Sequence, residues 1–253
     1  MPLLDHVSHS QVNMWLRCPR QWEFRYVKGL KMPPSGALIE GGCYHRALEV
    51  NFRQKITSFE DLAIDECLDV YSDEWEKRLI EEESVDWGNK HPGTYKDEGY
   101  SLVTEYIAST AFSVQPISVE EITVSEVAGV TFVCIPDLVD IRKIVIDHKT
   151  SARSYNQDDV DKDIQASAEA FVLGRPIVFH NHVAIKSKVP RIQVVKSYRT
   201  RADIEWWEDM AAKVVSQMKT GVAPPNPIGW HCSPRFCGFY ELCRLGLARS
   251  VFV

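Results

Sequence analysis

The sequence predicts an α/β protein, a central sheet flanked by helices, with a helical layer ahead of it in the chain. Three observations carry this. Up to about residue 114 the apolar residues recur at helical spacing. From Ile117 onward short β-branched runs take over: ISVEEITVSEV, VTFVCIPDLVDI and IVIDHKT. Between Thr150 and Pro176 one helix-period stretch intervenes before the next pair of runs, as a crossover between strands requires.

Ser8 or Ser10 is placed to cap a short helix, QVNMWLRC, and Pro19 suits the first turn of the next, RQWEFRYV, which Gly29 closes. Lys31 to Gly36 reads as a loop. A helix over Ala37 to about Gln54 follows, with Leu38, Cys43, Ala47, Leu48 and Phe52 apolar and with His45 and Glu49 on one face. Phe59 to Glu83 reads as one or two acidic helices, Ser84 to Thr94 as a loop, and Tyr100 to Phe112 as a helix. In the second half, Val127-Ala128-Gly129 marks a tight hairpin and Asp140 to Lys143 the next turn. Asp158 to Leu173 is expected as one helix, and Pro176 to Ile185 and Arg191 to Tyr198 as a strand pair. Thr200 caps a helix to Lys219, with Ile204, Trp207, Ala211, Val214, Val215 and Met218 inward. The whole is expected as a single domain, 1–253: a helical N-terminal region over residues 1–114, a core over 115–220 and a cysteine-rich segment over 221–253.

At 253 residues the chain is long enough to bury one large core. No apolar run reaches the roughly 20 residues of a membrane helix, and MPLLDHVSHSQ lacks the basic and apolar regions of a secretory leader. A cytoplasmic setting is therefore expected, in which seven cysteines point to thiols or metal ligation rather than a disulfide framework. The net charge of −6 does not advertise a nucleic-acid binder, but its distribution is uneven. Six bases and no acid lie from Lys186 to Arg201, and Arg17, Arg20, Arg25, Lys28 and Lys31 are relieved only by Glu23. Such runs are commonly solvated faces; around an acidic site they would form a groove for phosphates.

The chemistry concentrates between Gly129 and Thr150. Strand side chains alternate, so in IVIDHKT Asp147 and Lys149 share one face and His148 takes the other. Asp137 ends the run before. If the two runs pair, two acids and a lysine converge, the oxygen-rich set that Mg²⁺ takes alongside phosphate and water. The His148 carbonyl is a further oxygen. Lys149 beside a metal could orient or deprotonate a water and offset charge on a phosphate. His45, with Glu49 to hold its tautomer, could complete the shell and would favour Mn²⁺. Cys232, Cys237 and Cys243 form C-x4-C-x5-C, and either Cys18 or His231 could be the fourth ligand of a [4Fe–4S] cluster or a zinc ion. Cys43, Cys67 and Cys134 read as small buried residues.

Taken in order, CPR, GGCYHRALE, IPDLVD, IDHKT, a helix with Gln165 and three C-terminal cysteines resemble the PD-(D/E)XK superfamily. Within it the chain resembles RecB-like nuclease domains with an iron–sulfur cluster, such as CRISPR-associated exonucleases of the fourth Cas family and the AddB nuclease. The resemblance implies a restriction-endonuclease-like core. It implies metal binding by His45, Asp137, Asp147 and the His148 carbonyl, catalysis by Lys149 with Gln165, and a [4Fe–4S] cluster on Cys18, Cys232, Cys237 and Cys243. The implied activity is a Mg²⁺- or Mn²⁺-dependent exonuclease on DNA, single-stranded or at ends, working beside recombination, repair or CRISPR adaptation proteins. The chain departs from the relatives at two points. Their Q-x-x-x-Y is here Gln165 followed by Glu169, and their first cysteine spacing is often C-x2-C. A catalytically inactive or zinc-stabilised DNA-binding module is the rival expectation.

Overall fold

The computed structural model describes residues 5–245; the end of the expected segment 221–253 lies outside the described residues. The N-terminal strand β1 (Val7–Ser8) leads into α1 (His9–Arg17), capped by Ser8, and then α2 (Pro19–Trp22), which continues into a π-helical turn over Glu23–Val27. Three longer helices follow: α3 (Gly36–Ser58), α4 (Ile64–Glu81) and α5 (Pro92–Ser109). The acidic stretch thus makes a single helix, with Glu66 accepting from the N–H of Ala63. α5 begins eight residues before the expected start, because Pro92 suits a first helical position and His91 Nδ1 accepts from Gly93 N–H at 3.1 Å.

The strands are β2 (Pro116–Val119), β3 (Thr123–Val127), β4 (Val130–Cys134), β5 (Leu138–Asp140), β6 (Ile144–Ser151), β7 (Ile177–Ile185) and β8 (Arg191–Arg199). They form a five-stranded sheet in the order β2-β5-β6-β7-β8 and a three-stranded sheet in the order β1-β4-β3. β6 and β7 run parallel; the other pairs of the larger sheet are antiparallel. Two runs that look continuous in sequence are each shared between the sheets. VTFVCIPDLVDI divides at Ile135-Pro136, where proline has no N–H for a ladder, and ISVEEITVSEV divides after Glu120, which adopts φ +49°. The two switch points touch: Glu120 N–H donates to the carbonyl of Asp137 at 3.1 Å. The β3–β4 hairpin turns on Ala128 (φ +49°) and Gly129 (φ +72°), the pair of positive φ values that a two-residue turn of this hand requires.

The expected helix 158–173 is two, α6 (Gln157–Asp161) and α7 (Ile164–Val172). Asp163 restarts it by accepting from Gln165 N–H at 2.9 Å. Buried Arg199 from β8 donates to the freed carbonyls of Val160 at 2.8 Å and Asp163 at 3.0 Å. α8 (Arg201–Thr220) and α9 (Tyr240–Leu245) complete the described chain, and α8 buries the six residues expected of it.

One face of the larger sheet packs under α3, α4 and α5 around Leu48, Tyr106, Ile146 and Ala184. The other packs Val145 and Phe179 against Ala166 and Ala170 of α7 and Ile204 of α8. A further core joins the small sheet to α1 and α8 through Trp15, Phe132 and Trp207, with the Phe132 and Trp207 rings 4.9 Å apart. Full burial of one such side chain contributes about 1.5–3 kcal/mol. Trp15 and Trp22 are buried in this packing and Phe24 is buried against Cys237 and Phe239, so all three are closed to stacking on bases, and Tyr26 is the exposed aromatic of that segment.

Candidate active site

Asp137 lies just ahead of β5, and β5 pairs with β6 through Leu138 and Ile146, so Asp137 comes beside Asp147. Its Oδ2 accepts from His148 N–H at 2.7 Å and lies 3.4 Å from His45 Nδ1 of α3 and 3.5 Å from His148 Nδ1. Glu120 reaches the same spot from the neighbouring switch point. Ligand atoms of His45, Glu120 and Asp137 all lie within 4.8 Å of one another.

On the face of β6 toward α7, Lys149 Nζ donates to Asp147 Oδ1 at 3.0 Å and to Gln165 Oε1 at 2.9 Å. Gln165 Nε2 donates to Asp147 Oδ1 at 2.7 Å and to Glu169 Oε1 at 2.9 Å. Glu169 Oε2 and both side-chain polar atoms of Asn181 are buried without a hydrogen-bond partner, and Asp147 Oδ2 lies 3.0 Å from Lys149 Nζ. Asn181 is the β7 residue opposite Asp147.

The electrostatics separate the two aspartates. Burial opposes ionisation of Asp137, but the His45 and His148 rings and the His148 N–H outweigh it and hold the carboxyl well below the usual range. Burial pushes Asp147 up to about 7, against the pull of Lys149 and with the help of the Asp137 charge. Burial also opposes the Lys149 charge, yet Asp147 and Asp137 hold its ammonium well above the ordinary lysine value. Glu120 is raised to about 7 by burial, then by Asp137 and Glu49. The constellation is thus an anionic ligand set beside a fixed ammonium.

The sequence model for the PD-(D/E)XK nuclease superfamily matches residues 6–244. The chain belongs to that superfamily. No curated protein matches it in sequence. The solved structure of a candidate exonuclease from Eubacterium rectale superposes with a TM-score of 0.55 at 12% identity, covering 90% of this chain and 87% of that one. The protein SSO0001 superposes at 0.44 with 14% identity, over 96% of this chain and 87% of that one, and bears no weight here.

Within this superfamily member the expected residues fall into two linked groups. His45 and Asp137 join in one, with Glu120; Asp147, Lys149 and Gln165 join in the other, with Glu169. His148 turns its ring to the opposite face, and its N–H fixes Asp137. Glu49 does not hold His45: it pairs with Arg46 and Arg53, each at 2.8 Å. Lys149 is held as an ammonium, which suits orienting and neutralising rather than taking a proton. Two of the six bases from Lys186 to Arg201 are structural: Arg199 is buried, and Lys186 pairs with buried Glu40 at 2.8 Å. Arg46, Lys77 and Arg78 line an open cleft of about 820 Å³ with His45 and Glu120, and each pairs with a carboxylate of the same cleft, Glu49 for Arg46 and Glu74 for the other two.

Glu120 and Glu169 were not singled out by sequence reasoning. Glu120 is one of two adjacent acids, and Glu121 is exposed; Glu169 carried a signal, as the residue four past Gln165. Cys18, Cys232, Cys237 and Cys243 line a common pocket with His231, whose Nε2 is buried and without a hydrogen-bond partner. Gln21 Nε2 donates to Cys237 Sγ at 3.0 Å and Asn226 N–H to Cys18 Sγ at 3.4 Å. Cys43, Cys67 and Cys134 are buried singly, and burial pushes the Cys43 and Cys67 thiols up to about 12 and 11.

Proposed function

We propose that this nuclease-superfamily protein is a divalent-cation-dependent deoxyribonuclease that removes nucleotides from DNA ends, with single strands preferred. The observation that carries the reading is the junction of the His45, Glu120 and Asp137 ligand atoms with the Asp147–Lys149–Gln165 array. The donor set fits a hard cation with some nitrogen ligation, hence Mg²⁺ or Mn²⁺. Asp147 adds a further oxygen, Oδ2, which lies 3.0 Å from the Lys149 ammonium. The His148 carbonyl remains the further ligand that the superfamily resemblance implies. A bound cation would polarise the phosphodiester and make water acidic enough to attack near neutral pH.

The chain's own residues do the rest. Asp137, kept ionised by two histidines, supplies a permanent negative ligand. The Lys149 ammonium faces the developing phosphate charge and orients the water, with Gln165 holding it in place. Arg46, Lys77 and Arg78 along the cleft receive neighbouring phosphates. Preference for ends is supported by the fold shared with the candidate exonuclease from Eubacterium rectale.

The four cysteines of the common pocket are proposed to hold a [4Fe–4S] cluster, supported by their convergence and by the N–H groups aimed at two of the sulfurs. Iron with visible absorbance in freshly purified protein is expected; colourless protein containing zinc would replace the cluster with a zinc site that includes His231.

The test of activity compares end-labelled linear single-stranded DNA, linear duplex and covalently closed circles, each with Mg²⁺, Mn²⁺ or chelator. Degradation of the linear single strand with metal, and survival of the circle, is expected. Equal cutting of circles would overturn the end requirement, and cleavage in chelator would overturn the metal site.

A further inference from the structure

Glu169 is 1% exposed, inside the core, at a place where a hydrocarbon of the same size would be far cheaper to bury. Among the described residues, the hydrogen-bond partner of its side chain is Gln165. The Gln165 amide has two N–H bonds and one oxygen turned into the site, and all are used. The N–H bonds go to Asp147 Oδ1 and Glu169 Oε1, and the oxygen receives the Lys149 ammonium. Turned over, the amide would set its oxygen against two carboxyl oxygens and its N–H bonds against a cation. Glu169 therefore supplies one of the three contacts that decide which way the amide faces. The separation of four residues puts Gln165 and Glu169 one above the other on α7, so the contact requires no movement of the backbone.

We propose that Glu169 is a positioning residue for phosphodiester hydrolysis, locking the Gln165 amide and through it the Lys149 ammonium and the Asp147 carboxylate. The inference rests on the nuclease reading above. Burial first, and then the charge of Asp147, raise the Glu169 carboxyl well above the usual range; with the proton on the unpartnered Oε2, Oε1 is the carbonyl oxygen that accepts from Gln165 and adds no second buried negative charge. An isosteric amide can do the same; a hydrocarbon cannot. That difference separates positioning from mere filling of space.

The experiment uses the full chain with Glu169→Gln, Glu169→Leu, Gln165→Leu and the double Leu variant. Three quantities are read: kcat and KM on end-labelled single-stranded DNA with Mn²⁺, Mn²⁺ affinity by electron paramagnetic resonance, and melting temperature. Loss of a group that orients a metal ligand or catalytic side chain costs about 10–100-fold in affinity or activity. Glu169→Leu should lose kcat and Mn²⁺ affinity by at least about tenfold, with KM little changed and melting unchanged or raised. Glu169→Gln should recover most of both. The double variant should be no worse than Gln165→Leu alone, because the two act as one unit. Equal behaviour of the Gln and Leu variants, or losses that multiply in the double variant, would overturn the proposal. Should the Leu variant not fold, Glu169→Met takes its place, with the same volume and no acceptor. A wild type that cuts no DNA would defeat the nuclease reading instead, while the Mn²⁺ affinities would still decide whether Glu169 positions Asp147.

Discussion

Strands β6 and β7 carry two polar clusters back to back, and the pair are finished differently. Toward α3 and α5, the Tyr106 hydroxyl joins His148 Nε2 at 3.0 Å to His182 Nδ1 at 2.8 Å, and none of these side chains leaves a buried polar atom unpartnered. Toward α7, the Asp147 cluster leaves Glu169 Oε2 and the whole Asn181 amide without hydrogen-bond partners. A completed buried network stiffens the core around it, whereas an incomplete one costs free energy until something else fills it. Adjacent residues of one strand thus serve opposite ends: His148 closes the structure behind the site, and Asp147 and Lys149 leave it open in front.

Removing a member of the open cluster should hurt chemistry and spare the fold. Lys149→Ala is expected to lower single-turnover cleavage by at least about 100-fold, the scale of losing one preorganised charge-stabilising group. Its melting temperature should stay close to wild type at pH 5, where buried Asp147 keeps its proton, and fall at pH 8, where Asp147 has lost its half-buried cation. Undiminished cleavage would break the front-and-back division.

Removing the keystone of the closed cluster should do the reverse. Tyr106→Phe leaves two buried imidazole nitrogens without their partner, so a loss of about 1–3 kcal/mol in denaturant unfolding is expected. Cleavage well below the melting point should persist. A variant as stable as wild type but slow would show that the rear network acts on the reaction through His148 and Asp137.

A pH-dependent effect should come from Glu120, which belongs to the ligand group beside the open cluster. Its folded pKa of about 7 exceeds the ordinary 4.5. Between these values the folded chain keeps a proton that the unfolded chain has released, so stability falls as pH rises through that window. Without metal, Glu120→Gln should melt with wild type at pH 4 and above it at pH 8. Saturating Mn²⁺ should reverse the order at pH 8, because wild type alone keeps the ligand. No change in either comparison would remove Glu120 from the site.

The same division marks what the sequence could tell. Period-two alternation in IVIDHKT is a local property, and it placed Asp147, Lys149 and His148 on their correct faces. Caps and turns are local too, as at Thr200 and Ala128-Gly129. The breaks are not. The helix interrupted at Lys162-Asp163 depends on a guanidinium arriving from Arg199, 36 residues past Asp163. Glu120 turns inward through a positive φ at a residue other than glycine or asparagine, for which no sequence signal exists. Glu49 has the right spacing to serve His45, but Arg46 and Arg53 have equally good spacing and carry full charge. Gln165 and Glu169 could be paired from their spacing; their burial could not.

The two ends of the described chain meet at the cysteine pocket: Gln21 bonds Cys237 across 216 positions, and Asn226 bonds Cys18 across 208. A ribosome delivers such partners far apart in time. α1 and α2 emerge well before their partners, and their pocket side stays open until Asn226 and Cys237 have been made. The central sheet and its acids can assemble during that wait. The pocket then closes only after the strands of the central sheet have been made, and a chain released before Cys237 would expose the unfinished pocket to the cell's quality control.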